Sequence, residues 1–115
     1  MSQAFDEREL LDRIDQDLEF LSDTVQMLVE EGPPMVLEIR AAASAGDAAA
    51  VGRSAHALKG MISNFCADVA HASASEVERL GKGGDLAAVP AAVDVLDSRL
   101  GELIAALKGF LAARA

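Results

Sequence analysis

The hexapeptide Ala55-His56-Ala57-Leu58-Lys59-Gly60 holds the side chains best suited to chemistry in this chain. On a helix, positions three and four apart share a face. Lys59 therefore stands one turn beyond His56, Gly60 lies beside Lys59, and Gly52 lies one turn before the histidine. Ser63 falls on the same flank. The imidazole is left on a bare patch with one ammonium in reach. A glycine in a helix interior costs ~1 kcal/mol against alanine. Two of them on one flank imply that something needs the room. Imidazole has a reference pKa of ~6.5, so a neutral nucleophilic nitrogen is available at pH 7. Lys59 would offset negative charge on an incoming group. One ring nitrogen would form the new bond, and the other should donate to an acceptor that fixes the tautomer. These residues describe an imidazole that another protein approaches closely.

The elements that position it are helical. Asp6 to about Ile14 reads as a short acidic helix, with Asp6, Glu7 and Glu9 at the positive end of its dipole. Apolar residues then recur at Ile14, Leu18, Leu21, Val25 and Leu28, in the threes and fours of one helix face. Gly32-Pro33-Pro34 interrupts this pattern. A new helix, or a kinked continuation, is expected from Pro33 to about Ala45, with Met35, Val36, Leu37 and Ile39 as its apolar residues. Gly46 can close it and Asp47 can cap the next helix. That helix carries the hexapeptide on an apolar stripe of Ala48, Val51, Ala55, Leu58, Ile62 and Phe65. His56 lies roughly 130° from the centre of the stripe, on the water side. Asp68 to Gly81 reads as a further helix, with Ala67, Ala70, Ala74 and Val77 as an inward seam small enough for close packing. His71, Ser75, Glu78 and Lys82 form a polar stripe beside it, and Gly81 to Asp85 reads as loop and cap. The last helix carries Val89, Val93, Leu96, Leu100, Leu103, Leu107 and Phe110, with Pro90 in or near its first turn. The pattern predicts an all-α, up-and-down four-helix bundle with a short extra N-terminal helix, a single domain over 1–115.

Composition excludes several functions. Half the residues are apolar, mostly Ala, Leu and Val, with four Phe and no Trp or Tyr. The formal charge of −9 argues against nucleic acid and anionic membranes as partners. No apolar run approaches the ~20 residues that span a bilayer. Nor do the first residues read as a positively charged start followed by an apolar run and a small-residue cleavage site. A soluble cytoplasmic protein is the simplest expectation. Cys66, alone, forms no internal disulfide and reads as a small buried hydrophobe. His56, His71 and Cys66 have no common zinc spacing, so no metal site is expected. Gly81 to Gly84 lacks the Lys-Ser/Thr ending of a nucleotide loop, and no Gly-x-Ser-x-Gly elbow occurs. Neither ATP binding nor self-phosphorylation is expected.

The hexapeptide and its surroundings resemble the histidine-containing phosphotransfer (HPt) domains of bacterial phosphorelays. The family pattern is Ala-His-x-Leu-Lys-Gly, small residues, Asn, an apolar residue, Gly-Ala, and then Leu-Glu with a basic residue four beyond. Here these positions are Ala55 to Gly60, Ser63, Asn64, Phe65, Cys66-Ala67, Val77-Glu78 and Lys82. The resemblance implies that His56 is the phosphoacceptor, served by Lys59 and Gly60. It implies that Glu78 bonds the second ring nitrogen and that Lys82 lies near the same surface. Cys66 stands where the family usually has glycine, so a positive φ there would be strained.

The resemblance further implies a phosphoryl carrier that relays between receiver-domain aspartates and is not an enzyme. Its partners would be response-regulator receivers and a hybrid histidine kinase. No cofactor is expected on this chain, since the receiver would hold the Mg2+ that assists transfer. A monomer is expected, with docking through the His56 flank and an exposed Met61. Met1 and the lack of a linker favour a free-standing protein. His71 has Ala74 and Ser75 where His56 has Lys59 and Gly60, so it reads as a neighbour of the site. Two alternatives remain open: an interaction-only bundle that binds receivers without being phosphorylated, and a histidine-kinase dimerisation module. In that module an acidic residue directly follows the histidine, whereas Ala57 does so here.

Overall fold

Three aspartates begin three of the five helices. In the computed structural model, which describes residues 4–114, α1 spans Glu7–Arg13, α2 Leu18–Ser44, α3 Ala48–Ile62, α4 Asp68–Gly83 and α5 Val89–Ala112. The Asp6, Asp17 and Asp47 carboxylates each accept a hydrogen bond at 3.0 Å from the backbone N–H three residues on. Such caps satisfy donors that the first helical turn leaves orphaned. Short 3-10 turns, Ser63–Phe65 and Leu86–Ala88, lead out of α3 and into α5. No strand occurs among the described residues.

Helices α2 to α5 form the bundle. Each packs on the next, and α5 closes the ring against α2. Seams expected from the sequence are buried: Val51, Ala55, Leu58 and Ile62 on α3, Ala70, Ala74 and Val77 on α4, and the whole Val89–Phe110 series on α5. Across the outside, Arg40 of α2 pairs with Asp94 of α5 at 2.9 Å. The short α1 covers one end. Leu10 is fully buried, Phe5 meets Phe110 edge to face at 5.4 Å, and Arg13 donates to the Ser63 carbonyl at 2.7 Å.

Two boundaries and one contact differ from the periodicity, and a boundary it left open is decided. The pattern beginning at Ile14 breaks at once: Asp15 and Gln16 take left-handed backbone, φ 52° and 58°, and α2 starts at Leu18. Of the two readings at Gly32-Pro33-Pro34, a new helix or a continuation, the helix continues: the segment is the middle of one α2. Both prolines face solvent, while Gly32 is buried where a Cβ would sit 3.3 Å from a Leu100 methyl. Packing of Val25, Leu28, Val36 and Ile39 on both sides holds the helix together, although the Val29 and Glu30 carbonyls lose their donors to proline. Leu37, expected among the apolar contacts, is 66% exposed. Finally α4 continues to Gly83, so Gly81 and Lys82 are helical. Gly84, at φ 74°, supplies the left-handed stop, with the Asp85 N–H returning to the Leu80 carbonyl.

Cys66 follows the 3-10 turn at φ 54° and ψ 45°, a left-handed residue that is not glycine. Its side chain is buried and its carbonyl accepts from the Asp6 N–H at 3.0 Å. Such a backbone costs ~1–2 kcal/mol in a residue with a Cβ. Burial pushes its thiol pKa up, which makes it a poor nucleophile.

Candidate functional site

His56 projects from the middle of α3 with 68% of its side chain exposed, as the stripe geometry requires. Its Nδ1 lies 2.8 Å from Glu78 Oε2 on α4. Glu78 is the buried charged residue among those described, its side chain only 5% exposed. The sequence puts it on a polar stripe. The α3–α4 crossing buries it instead, and the same crossing brings two more donors to it. Lys59 Nζ reaches Oε1 at 2.5 Å and Lys82 Nζ reaches Oε2 at 2.9 Å. The contact with Lys82 exists because α4 runs past Gly81, which places residues 78 and 82 one turn apart.

Burial alone would raise the carboxyl pKa, but the cations reverse that. Lys59 first, then Lys82, with His56 adding to them, hold Glu78 down to about 2. The group is therefore a carboxylate, with acceptors only. Nδ1 must donate its proton to Oε2. In the neutral imidazole the lone pair is then on Nε2, the nitrogen turned away from Glu78. The tautomer that the sequence requires is set by this one hydrogen bond.

The two glycines of the hexapeptide's flank have different surroundings. Around Gly60 a Cβ would meet nothing within 4 Å, so the space beside Lys59 is open. Gly52 is buried, which corrects the expectation that its bareness serves an approaching protein. A Cβ on Gly81 would lie 2.7 Å from the Gly52 backbone nitrogen, and the Lys82 stem covers Gly52 itself. On its α4 side Gly52 is covered by Gly81 and the Lys82 stem. Gly81 is the residue the sequence reading missed, yet it continues the Ala67-Ala70-Ala74-Val77 seam in the same threes and fours. Ser63 is exposed at the end of α3, where its hydroxyl donates to the Gly60 carbonyl at 2.6 Å. Met61, expected to be exposed, is half-buried and packs against the core. His71 is half-buried on α4, and its side chain makes no hydrogen bond to the Glu78 cluster.

Beside His56 runs an open groove of about 380 Å³. Ala48, Ala49, Gly52, Arg53, Glu78 and Lys82 line it with His56. No group of three or more His, Cys, Asp or Glu among the described residues is placed to hold a metal ion. No helix among them is long and apolar enough to cross a membrane.

A sequence model of the Hpt domain matches residues 23–109. Among solved structures, the chain is similar to the crystal structure of histidine-containing phosphotransfer protein B (HptB) from Pseudomonas aeruginosa PAO1. The TM-score is 0.88, with 22% sequence identity over 98% of each chain, which is a likeness of fold. Among curated proteins, none matches.

Proposed function

The chain belongs to the Hpt-domain family, the histidine phosphotransfer modules of phosphorelays, and from that premise we propose that His56 is its phosphoacceptor. The observation that carries the proposal is an exposed imidazole whose Nδ1 faces a buried carboxylate, which leaves the ring's lone pair on Nε2. Hpt domains of phosphorelays interact with receiver domains and kinases. The incoming phosphoryl group is carried as an acyl phosphate on a receiver aspartate.

The Nε2 lone pair attacks phosphorus, the bond from phosphorus to the acyl oxygen breaks, and the aspartate leaves as a carboxylate. The new N–P bond makes the ring cationic, because Nδ1 keeps its proton. Glu78 stabilises that cation through the existing 2.8 Å contact. Lys59 stands one turn away and can turn its ammonium from Glu78 towards the phosphoryl oxygens. Lys82 shares Glu78 in the same way. Open space at Gly60 admits the receiver's cleft. A second receiver aspartate attacks the phosphorus in the reverse sense and restores the neutral imidazole.

In this reading the protein is a cytoplasmic monomer that carries phosphoryl groups and does not generate them from ATP. It needs no cofactor of its own. The Mg2+ that assists transfer sits on the receiver, where oxygen ligands gather. The test is His56→Gln incubated with a radiolabelled phosphoreceiver. Wild type should acquire acid-labile, base-stable phosphate and the variant none. Labelling of the variant to the wild-type level would remove His56 from the mechanism. A bound but unlabelled wild type would favour the interaction-only bundle.

A further inference from the structure

The cations around His56 are not equivalent. Lys59 and Lys82 both end on Glu78, so one buried carboxylate already answers them. Arg53 lies one turn before His56, is exposed, and lines the same groove. Among the described residues, its guanidinium forms no ion pair or side-chain hydrogen bond. Helical side chains lean towards the N-terminus of their helix. Lys59, three residues after His56, therefore leans onto the turn of the histidine, where it meets Glu78. Arg53, three residues before it, leans away by the same rule, towards the turn of Ala49, which lines the groove with it. This direction takes it off the phosphoryl group and towards the protein that delivers it.

Charge selects the partner group. The chain carries 10 basic and 19 acidic residues, yet Arg53 and Lys82 line this one groove, and Lys59 reaches the Glu78 carboxylate that borders it. A local positive field on an acidic protein attracts an acidic surface and repels it elsewhere. We infer that Arg53 is a docking residue, pairing with an exposed carboxylate that borders the phosphoacceptor aspartate on the receiver. The inference rests on the phosphotransfer reading above and deepens it. Lys59 acts on the transferring group, whereas Arg53 acts on encounter and orientation.

The two roles separate in kinetics. Transfer from phosphoreceiver should be followed by rapid quench over a range of receiver concentrations, for wild type, Arg53→Ala, Arg53→Glu and Arg53→Lys. The half-saturating concentration should rise about three- to tenfold for alanine and further for glutamate, while lysine recovers most of the loss. The plateau rate should stay within about twofold of wild type. The dependence of rate on salt should be shallower in Arg53→Ala. Circular dichroism should show unchanged helix content, since the side chain is exposed. Saturation at the wild-type concentration in Arg53→Glu would overturn the inference, as would a loss confined to the plateau rate. Failure of the phosphotransfer reading is distinguishable, because wild type itself would then take no label at His56.

Discussion

At the level of single residues, Glu78 governs the site. Its carboxylate receives His56, Lys59 and Lys82, and replacing it changes the ring's tautomer control and both cations together. Glu78→Ala should slow phosphoryl transfer about 10–100-fold, the loss of one charge-assisted hydrogen bond worth ~1.5–3 kcal/mol. Glu78→Gln keeps an acceptor for Nδ1 and should fall between that variant and wild type; equal rates for all three would show that the contact is idle in transfer. The same group sets an acid limit. Its pKa in the folded chain is about 2 against an ordinary 4.5, so the stabilisation is complete above about 4.5 and is lost as pH falls through about 2. Denaturant unfolding at a series of pH values should show a gap between wild type and Glu78→Gln at pH 6 that closes towards pH 2.

For the elements, the α3–α4 crossing decides whether these residues meet at all. Gly81 rests on the Gly52 backbone, and a methyl there would lie 2.7 Å from its nitrogen. Gly81→Ala must push the helices apart, costing about 1–3 kcal/mol by overpacking and moving Glu78 away from His56. Gly60→Ala meets open space in a helix interior. It should raise stability by up to ~1 kcal/mol while obstructing the receiver. Thermal unfolding beside the transfer rate checks both: Gly81→Ala loses stability and rate together, Gly60→Ala trades one for the other. On α5, Leu100 is 1% exposed and fills the hollow left by Gly32, so Leu100→Ala should cost about 2–5 kcal/mol.

As a whole molecule, the protein is a rod of 44 × 27 × 19 Å with its site on the waist and α1 clamped over one end. Its charge is acidic overall, with Arg53 and Lys82 both at the groove beside His56. One chain supplies every donor and acceptor of the site, so nothing in the mechanism calls for a second copy. Light scattering should give about the single-chain mass of 12.0 kDa. A mass of twice that value would favour the kinase dimerisation reading.

The amino-acid order determined the helices whose apolar rhythm is long and the outward direction of His56. Each of these depends on neighbours within two or three helical turns, where spacing alone fixes which residues share a face. The continuity of α2 through Pro33-Pro34 was decided elsewhere, by packing on α5 that outweighs a local break. The burial of Glu78 and the meaning of Gly52 were likewise settled between α3 and α4. A helix seam says that something lies against it, but not how closely. At this crossing the closeness comes from Gly81, and it turns a surface glutamate into the hub of the site.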